Sequence, residues 1–414
     1  MNEDCVKTRK EINFTGIFSL FSFLPLRARY GPHATINPYK KDALMPRLRI
    51  RPWLIVTILA ALYALVVIRA NNGDPLALVT IGPEYQAVIP EAQGDDAGYD
   101  GQFNYFIARD PSAAAPLIDV PAYRFQRILL PGLGWLLSFG NAALIPWIFL
   151  VSGVISLGAG TAILEQLLIE HGASRWYALA YGLTIGTFGA MRLSLPEPMA
   201  YALALGGIWL FTREKWTWSA LAFALAALAR ETTLLIPFAC GLYLLQQRKL
   251  RVALPFGLIT LAPFVAWQVI LYTHLGSFGV GSGGAMATRF ELIPFAGVVR
   301  IITDIPAEAR AGVLFIFAVL LIPFVLLPTV WGLRRCSLDW RQGRFDLYTW
   351  LLLTNAAIMP FVPFSTYREP IGILRFIVGL QIAVILYAAS RHNRRALRNS
   401  TIWVVTAMFA ISLI

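Results

Sequence analysis

The chain has 414 residues, of which 57% are hydrophobic and 14% charged, with a mean hydropathy of +0.62. A soluble domain carries about 25% charged residues, so a single water-facing globule is excluded and an all-α polytopic membrane protein is expected. The formal charge of +12 is gathered in short basic clusters between apolar runs, which reads as topology signal and argues against nucleic acid as a partner.

Residues 1–51 hold ten Lys/Arg and four Asp/Glu. They are expected to form a cytoplasmic, partly disordered segment ahead of a transmembrane domain over 52–414. The apolar run 14–26 is too short to cross a bilayer, and no small-residue cleavage site follows it. Met45 opens Met-Pro-Arg-Leu-Arg-Ile-Arg-Pro, which has the form of a start just before the first span. The first 44 residues are thus expected to be disordered or to stem from an upstream start codon. Cys5, Cys240 and Cys336 lack metal-ligand spacing, so neither a disulfide nor a zinc site is expected.

The first span is 53–68, with Arg47, Arg49 and Arg51 holding its start in the cytoplasm. An extracytoplasmic loop over 71–142 follows. Between Asn71 and Val120 it carries eight carboxylates and one base, Arg109. Its segment 123–139 has an uninterrupted apolar part of only 128–139, which fits an interfacial helix better than a crossing. Ten further spans are read at 144–167, 176–191, 198–211, 216–229, 232–245, 252–272, 312–331, 347–364, 371–389 and 401–414. About eleven crossings place the clusters at Arg213, Arg248, Arg334 and Arg391 inside; counting 123–139 as a span would put all four outside. Arg192, Glu197, Arg230, Glu231, Arg368 and Arg375 then converge on the outer face. Ionisable groups at membrane depth cost from roughly 2.5 kcal/mol upward at the bilayer centre, so a shared polar cavity is expected there.

The stretch 98–111 lies at the centre of the acidic loop. Tyr99, Phe103, Phe106 and Ile107 fall on one helical face, expected to rest on the membrane surface, with Asp100 and Asn104 beside it. Asp100 reads either as a helix N-cap or Asp-Gly turn, or as a general base made more basic by partial desolvation. Asp95-Asp96 is either a solvated pair or a divalent-cation site; no cofactor is required. Arg124 and Arg127 pair with loop carboxylates or with lipid phosphates. Arg230 is either a snorkelling turn residue or a phosphate-binding guanidinium. The Gly-rich run 276–284 is expected to move.

Tyr99-Asp100-Gly101-Gln102-Phe103 with Ile107-Ala108 resembles the Trp-Asp-Gly…Ile-Ala motif in the first luminal loop of the mannosyltransferases that add the second mannose to GPI anchors, members of the GT-C superfamily. The span from Tyr99 through Glu231, roughly a third of the chain, is similar to a bacterial family of membrane proteins tied to cell-surface glycopolymer formation, the matching segments being YDGQFNYFIARDP, PAYRFQRILLPGLGWLL, LPEP and ARETTLLIP. The resemblance implies a GT-C-like fold in the bacterial inner membrane with an extracytoplasmic site. It implies a polyprenyl-phosphate-linked sugar donor, surrounding membrane lipids and a glycan, lipid or protein acceptor. Asp100 would be the base. Tyr99, Gln102, Arg124, Arg127, Glu197, Arg230, Glu231, Arg368 and Arg375 would bind the substrate or its phosphate. Two alternatives stand beside it: a polysaccharide polymerase or ligase, in which Arg289 or Arg300 outweighs Asp100, and a non-catalytic transporter or accessory protein.

Overall fold

The computed structural model describes residues 50–85, 88–89, 98–284, 288–304 and 307–413, and Ile50–Ile414 forms one compact unit. Among the described residues the regular structure is helical, with no strand. The first helix, α1 (Pro52–Ala70), has proline in its first turn, where the missing N–H costs nothing. It is apolar on every side. Val56, Ala60, Ala64 and Val67 are buried, while Leu54, Ile58, Leu62 and Leu65 are exposed. Small buried side chains on one stripe and large exposed ones on another suit a helix packed against protein on one side and lipid on the other.

Three short helices follow in the acidic loop: α2 (Gly101–Arg109), α3 (Pro121–Phe125) and α4 (Leu129–Ser138). Trp135, Leu136, Leu137 and Phe139, at the end of α4, are exposed. α5 (Ile145–Glu170) packs on α1, and Gly158 of α5 leaves room for Thr57, whose hydroxyl would lie 2.3 Å from a Cβ there. The next apolar run is broken into α6 (Leu179–Gly182), a π-turn over Ile185–Gly189 and α7 (Ala190–Arg192). Glycines interrupt it for a packing reason: a Cβ on Gly186 would lie 2.4 Å from the carbonyl oxygen of Leu374.

The remaining helices are α8 (Glu197–Phe211), α9 (Trp216–Ala229), α10 (Leu235–Gln246), α11 (Leu250–Leu275), α12 (Ala296–Asp304) and α13 (Ala307–Leu321). After a second π-turn come α14 (Leu327–Arg341), α15 (Leu347–Ala357), α16 (Phe364–Arg368), α17 (Pro370–Phe376), α18 (Val378–Ser390) and α19 (Arg394–Ser400). α8 and α9 form a tight pair, in which the Ser219 hydroxyl donates to the Gly207 carbonyl at 2.8 Å.

Among the described residues four segments are long and apolar enough to cross a membrane: Pro52–Ala70, Ala142–Glu170, Leu250–Leu275 and Phe317–Arg341. A fifth counts if α17 and α18, bent by 44°, act as one. The chain is therefore membrane-embedded. The expected eleven crossings are not what the helices provide. α8 has 15 residues, α9 has 14 and α10 has 12. At 1.5 Å per residue, even α8 reaches only about 22 Å of the roughly 30 Å hydrocarbon core. These helices end at polar and charged turns, at 212–215, at Arg230-Glu231 and after Gln246, which leaves apolar runs too short to cross. The run 401–414 is likewise no α-helix; Thr401–Leu413 winds as a 3₁₀ segment.

Candidate functional site

The site is organised by the start of α2. A Cβ on Gly101 would lie 2.1 Å from the Leu193 carbonyl oxygen, so only glycine lets this turn press against the segment after α7. The Asn104 amide donates to the Ser194 carbonyl at 2.9 Å, and the Gln102 side-chain oxygen accepts from the Gly82 N–H at 2.9 Å. Phe103, Phe106 and Ile107, expected on the membrane surface, are buried in protein instead. The loop before α2 covers that face, with Tyr85 and Phe106 ring centroids 4.8 Å apart.

Asp100 occupies the N-cap position of α2, but its carboxylate makes no cap hydrogen bond. Asp100 thus sits in the turn that opens α2, as the Asp-Gly reading has it, but its side chain is free of a capping role. Asp100 Oδ1 lies 2.9 Å from Arg124 Nη1, and Oδ2 accepts from Arg375 Nη2 at 3.0 Å. The interactions continue on both sides. Arg124 holds Asp119 with two bonds of 2.9 Å, and Arg375 Nε lies 3.1 Å from Glu197 Oε1, which also takes Arg230. The result is an alternating chain Arg230–Glu197–Arg375–Asp100–Arg124–Asp119, with three charges of each sign. Glu197 is buried, and its Oε2 has no hydrogen-bond partner among the described residues. A second pair stands alongside: Arg127 grips Glu231 through bonds of 2.9 and 2.7 Å and donates to the Tyr123 hydroxyl oxygen at 2.8 Å. Tyr99 donates its hydroxyl to Glu369 and accepts from Arg375 Nη1 at 3.1 Å.

These pairings set the protonation states. Burial pushes the Asp100 carboxyl up, but the Arg124 and Arg375 guanidiniums outweigh it and hold the group far below the usual carboxylate range. The expected desolvated, strengthened base is thus corrected to a firmly ionised carboxylate that is 26% exposed. Burial also raises Glu231, and Arg127 overrides it, bringing the group down to about 2. Burial opposes the charges of Arg124 and Arg127, yet their carboxylate partners raise both above the ordinary guanidinium value. Tyr99 is pushed up by burial and stays a neutral donor.

A cavity of about 670 Å³ opens over this chain. Asp100, Tyr99, Gln102, Arg124 and Arg127 line it from one side. Arg230, Glu231 and Arg375 line it from the other. Two expected members are displaced. Glu197 sits beneath the wall, behind Arg230 and Arg375, and Arg368 points elsewhere, with its guanidinium 5.5 Å from the Phe364 ring. Arg230 is 4% exposed and does not snorkel; Arg124 takes the loop carboxylates Asp100 and Asp119, whereas Arg127 takes Glu231, from the turn after α9.

No family model, curated protein or solved structure matches this chain.

The pair Asp95-Asp96 lies outside the described residues, among which no group of three or more His, Cys, Asp or Glu is placed to hold a metal ion. Sequence reasoning missed the far wall of the cavity. Arg289, Phe290 and Ser365 line it, as do Gly279–Ser282 of the glycine-rich run. That run, expected to move, is pinned: Gln268 Oε1 accepts from the N–H of Gly279 at 2.8 Å and of Val280 at 3.1 Å. A glutamine inside an apolar helix was the available signal. Asp119 was not singled out among the eight loop carboxylates, although its spacing of five residues before Arg124 offered the pair.

Proposed function

We propose that this protein is a GT-C-type glycosyltransferase of the bacterial inner membrane. It would move a sugar from a polyprenyl-phosphate carrier to a cell-envelope glycan, lipid or protein acceptor on the extracytoplasmic face. The observation that supports this reading is the meeting, at one cavity of a membrane-embedded chain, of Asp100 with arginines from separate segments. The proposal needs the 71–142 loop outside; it does not depend on eleven crossings.

In the reaction, an acceptor hydroxyl oxygen attacks the sugar C1. Its proton passes to Asp100. The bond from C1 to the phosphate oxygen breaks, and polyprenyl phosphate leaves with the electron pair, stabilised by guanidiniums. Arginines suffice to neutralise one phosphate, so no cofactor enters the proposal. While clamped by two guanidiniums, Asp100 is a weak base. A donor phosphate that draws Arg124 or Arg375 onto itself restores basicity to Asp100, which couples proton transfer to donor binding.

The test is purified protein with a panel of polyprenyl-phosphate sugars, reading release of the lipid phosphate. Turnover with at least one donor is expected, reduced about 10²–10⁴-fold in Asp100→Asn. No release from any donor overturns the reading. A polysaccharide polymerase or ligase is the second reading, favoured by the presence of Arg289 in the cavity wall. It gains if Arg289→Gln abolishes turnover while Asp100→Asn does not.

A further inference from the structure

We infer that Arg289 receives the anionic end of an amphiphile at the mouth of the cavity, while Phe290, Leu292 and Ile293 take its apolar chain. The inference rests on the glycosyl-transfer reading for the identity of the amphiphile, a polyprenyl phosphate.

Five arginines line the cavity. Arg124, Arg127, Arg230 and Arg375 are each committed to a carboxylate. Arg289 has no ion-pair partner among the described residues, and it is exposed. A paired guanidinium binds a phosphate only by giving up its carboxylate. The unpaired one offers its charge undivided, and an anion arriving from outside meets it before the four buried ones.

The backbone around Arg289 is fixed. On one side, Thr288 donates its N–H to the Ser365 hydroxyl at 3.0 Å, and the Ser365 N–H donates to the Thr288 hydroxyl at 3.1 Å. On the other, the Glu291 N–H donates to the Phe361 carbonyl at 2.9 Å. The Glu291 carboxylate is taken by Arg300 at 3.1 Å, and Arg300 lies 4.5 Å over the Phe364 ring. Arg300 is thus spent on scaffolding, and Arg289 is presented between two anchors.

Apolar surface adjoins the cation. Phe290 is 50% exposed, Leu292 95% and Ile293 71%. Phe290 also lines the cavity with Phe376, their ring centroids 6.3 Å apart. A fixed cation beside large exposed apolar side chains fits a ligand with a charged head and a greasy tail. Phe290 belongs to the cavity wall itself, which favours the substrate of that cavity over bulk lipid.

The test uses full-length protein in phosphatidylcholine nanodiscs and measures binding of a long polyprenyl monophosphate by native mass spectrometry. Arg289→Gln is expected to weaken binding about tenfold or more, the scale of a lost charge-assisted hydrogen bond. Arg289→Lys should recover part of it, and Arg213→Gln, at the far end of α5 beside Glu170, should change nothing. Leu292→Asn with Ile293→Asn should weaken the long chain while sparing geranyl phosphate. Equal binding by wild type and Arg289→Gln overturns the inference alone. So does displacement by an equal amount of phosphatidylglycerol, which would mark a general anionic-lipid site. If wild type binds no polyprenyl phosphate at all, the glycosyl-transfer reading falls together with the inference.

Discussion

Arg375 stands between two carboxylates, with Nη2 3.0 Å from Asp100 and Nε 3.1 Å from Glu197. Its guanidinium is the joint through which the exposed end of the ion chain meets the buried end. Removing one partner of a buried pair leaves an uncompensated charge, at about 3–5 kcal/mol. Arg375→Met should therefore lower stability by that order, read as a fall in the thermal unfolding midpoint in detergent. Asp100→Asn combined with Arg375→Met should cost less than the sum of the two, with a coupling of about 0.5–3 kcal/mol. Strict additivity would show that the pair is not formed in solution.

Glu231 makes stability depend on acid. Its carboxyl falls from an ordinary 4.5 to about 2 in the folded protein. A group with a depressed folded value stabilises fully above its unfolded value and loses that contribution as pH drops through the folded one. Stability from this group should hold above pH 4.5 and decline by about 3 kcal/mol as pH falls toward 2. Asp100 acts with the same sign. Glu231→Gln should unfold with a flatter dependence between pH 4.5 and 2; an unchanged slope would remove Glu231 as its source.

Two glycines in the same loop should behave oppositely. Gly101→Ala puts a methyl 2.1 Å from the Leu193 oxygen, whereas at Gly132 the nearest atom is 3.9 Å away. Overpacking of this kind costs roughly 1–3 kcal/mol. Gly101→Ala should lower both stability and turnover without altering any charged residue, and Gly132→Ala should leave both near wild type in the same unfolding and lipid-phosphate release assays.

Gln268→Met should free the segment that Gln268 holds. Two backbone N–H groups, of Gly279 and Val280, lose their acceptor, at about 1–3 kcal/mol per buried unsatisfied group. Amide exchange over 277–282 should speed up while α5 stays protected. Unchanged exchange there would mean that other contacts hold the run.

The membrane character of the chain was legible from composition, and a polar cavity shared by Asp100 and Arg230 was legible because charge is scarce in an apolar chain, whereas the reach of Arg375 into it was not. Position along the chain predicted who would meet, and not in which pairs. The pairing depends on close approaches, such as Gly101 on Leu193 and Gly186 on Leu374, which hydropathy does not register. The excess of crossings has another cause: short apolar runs between charged turns were each counted as a span, although helices of 12 to 15 residues do not reach across the hydrocarbon core. Arg289 was named only for the polymerase alternative and not placed in the same wall, because the residues that anchor its surroundings, Ser365 and Gln268, come from other segments of the chain.

The ion chain also sets an order of events during synthesis. Glu197 and Arg230 are 33 residues apart, and Asp100 meets Arg124 sooner still. Arg375 follows Asp100 by 275 residues. Arg375 follows Glu197 by 178 residues, so at about 5–20 residues per second the seat between Asp100 and Glu197 stays empty for roughly 9–36 s while the intervening helices are made. Arg375 is then the last piece to arrive, and a nascent chain released before it carries two carboxylates facing a gap, a defect that distinguishes an unfinished product from a finished one.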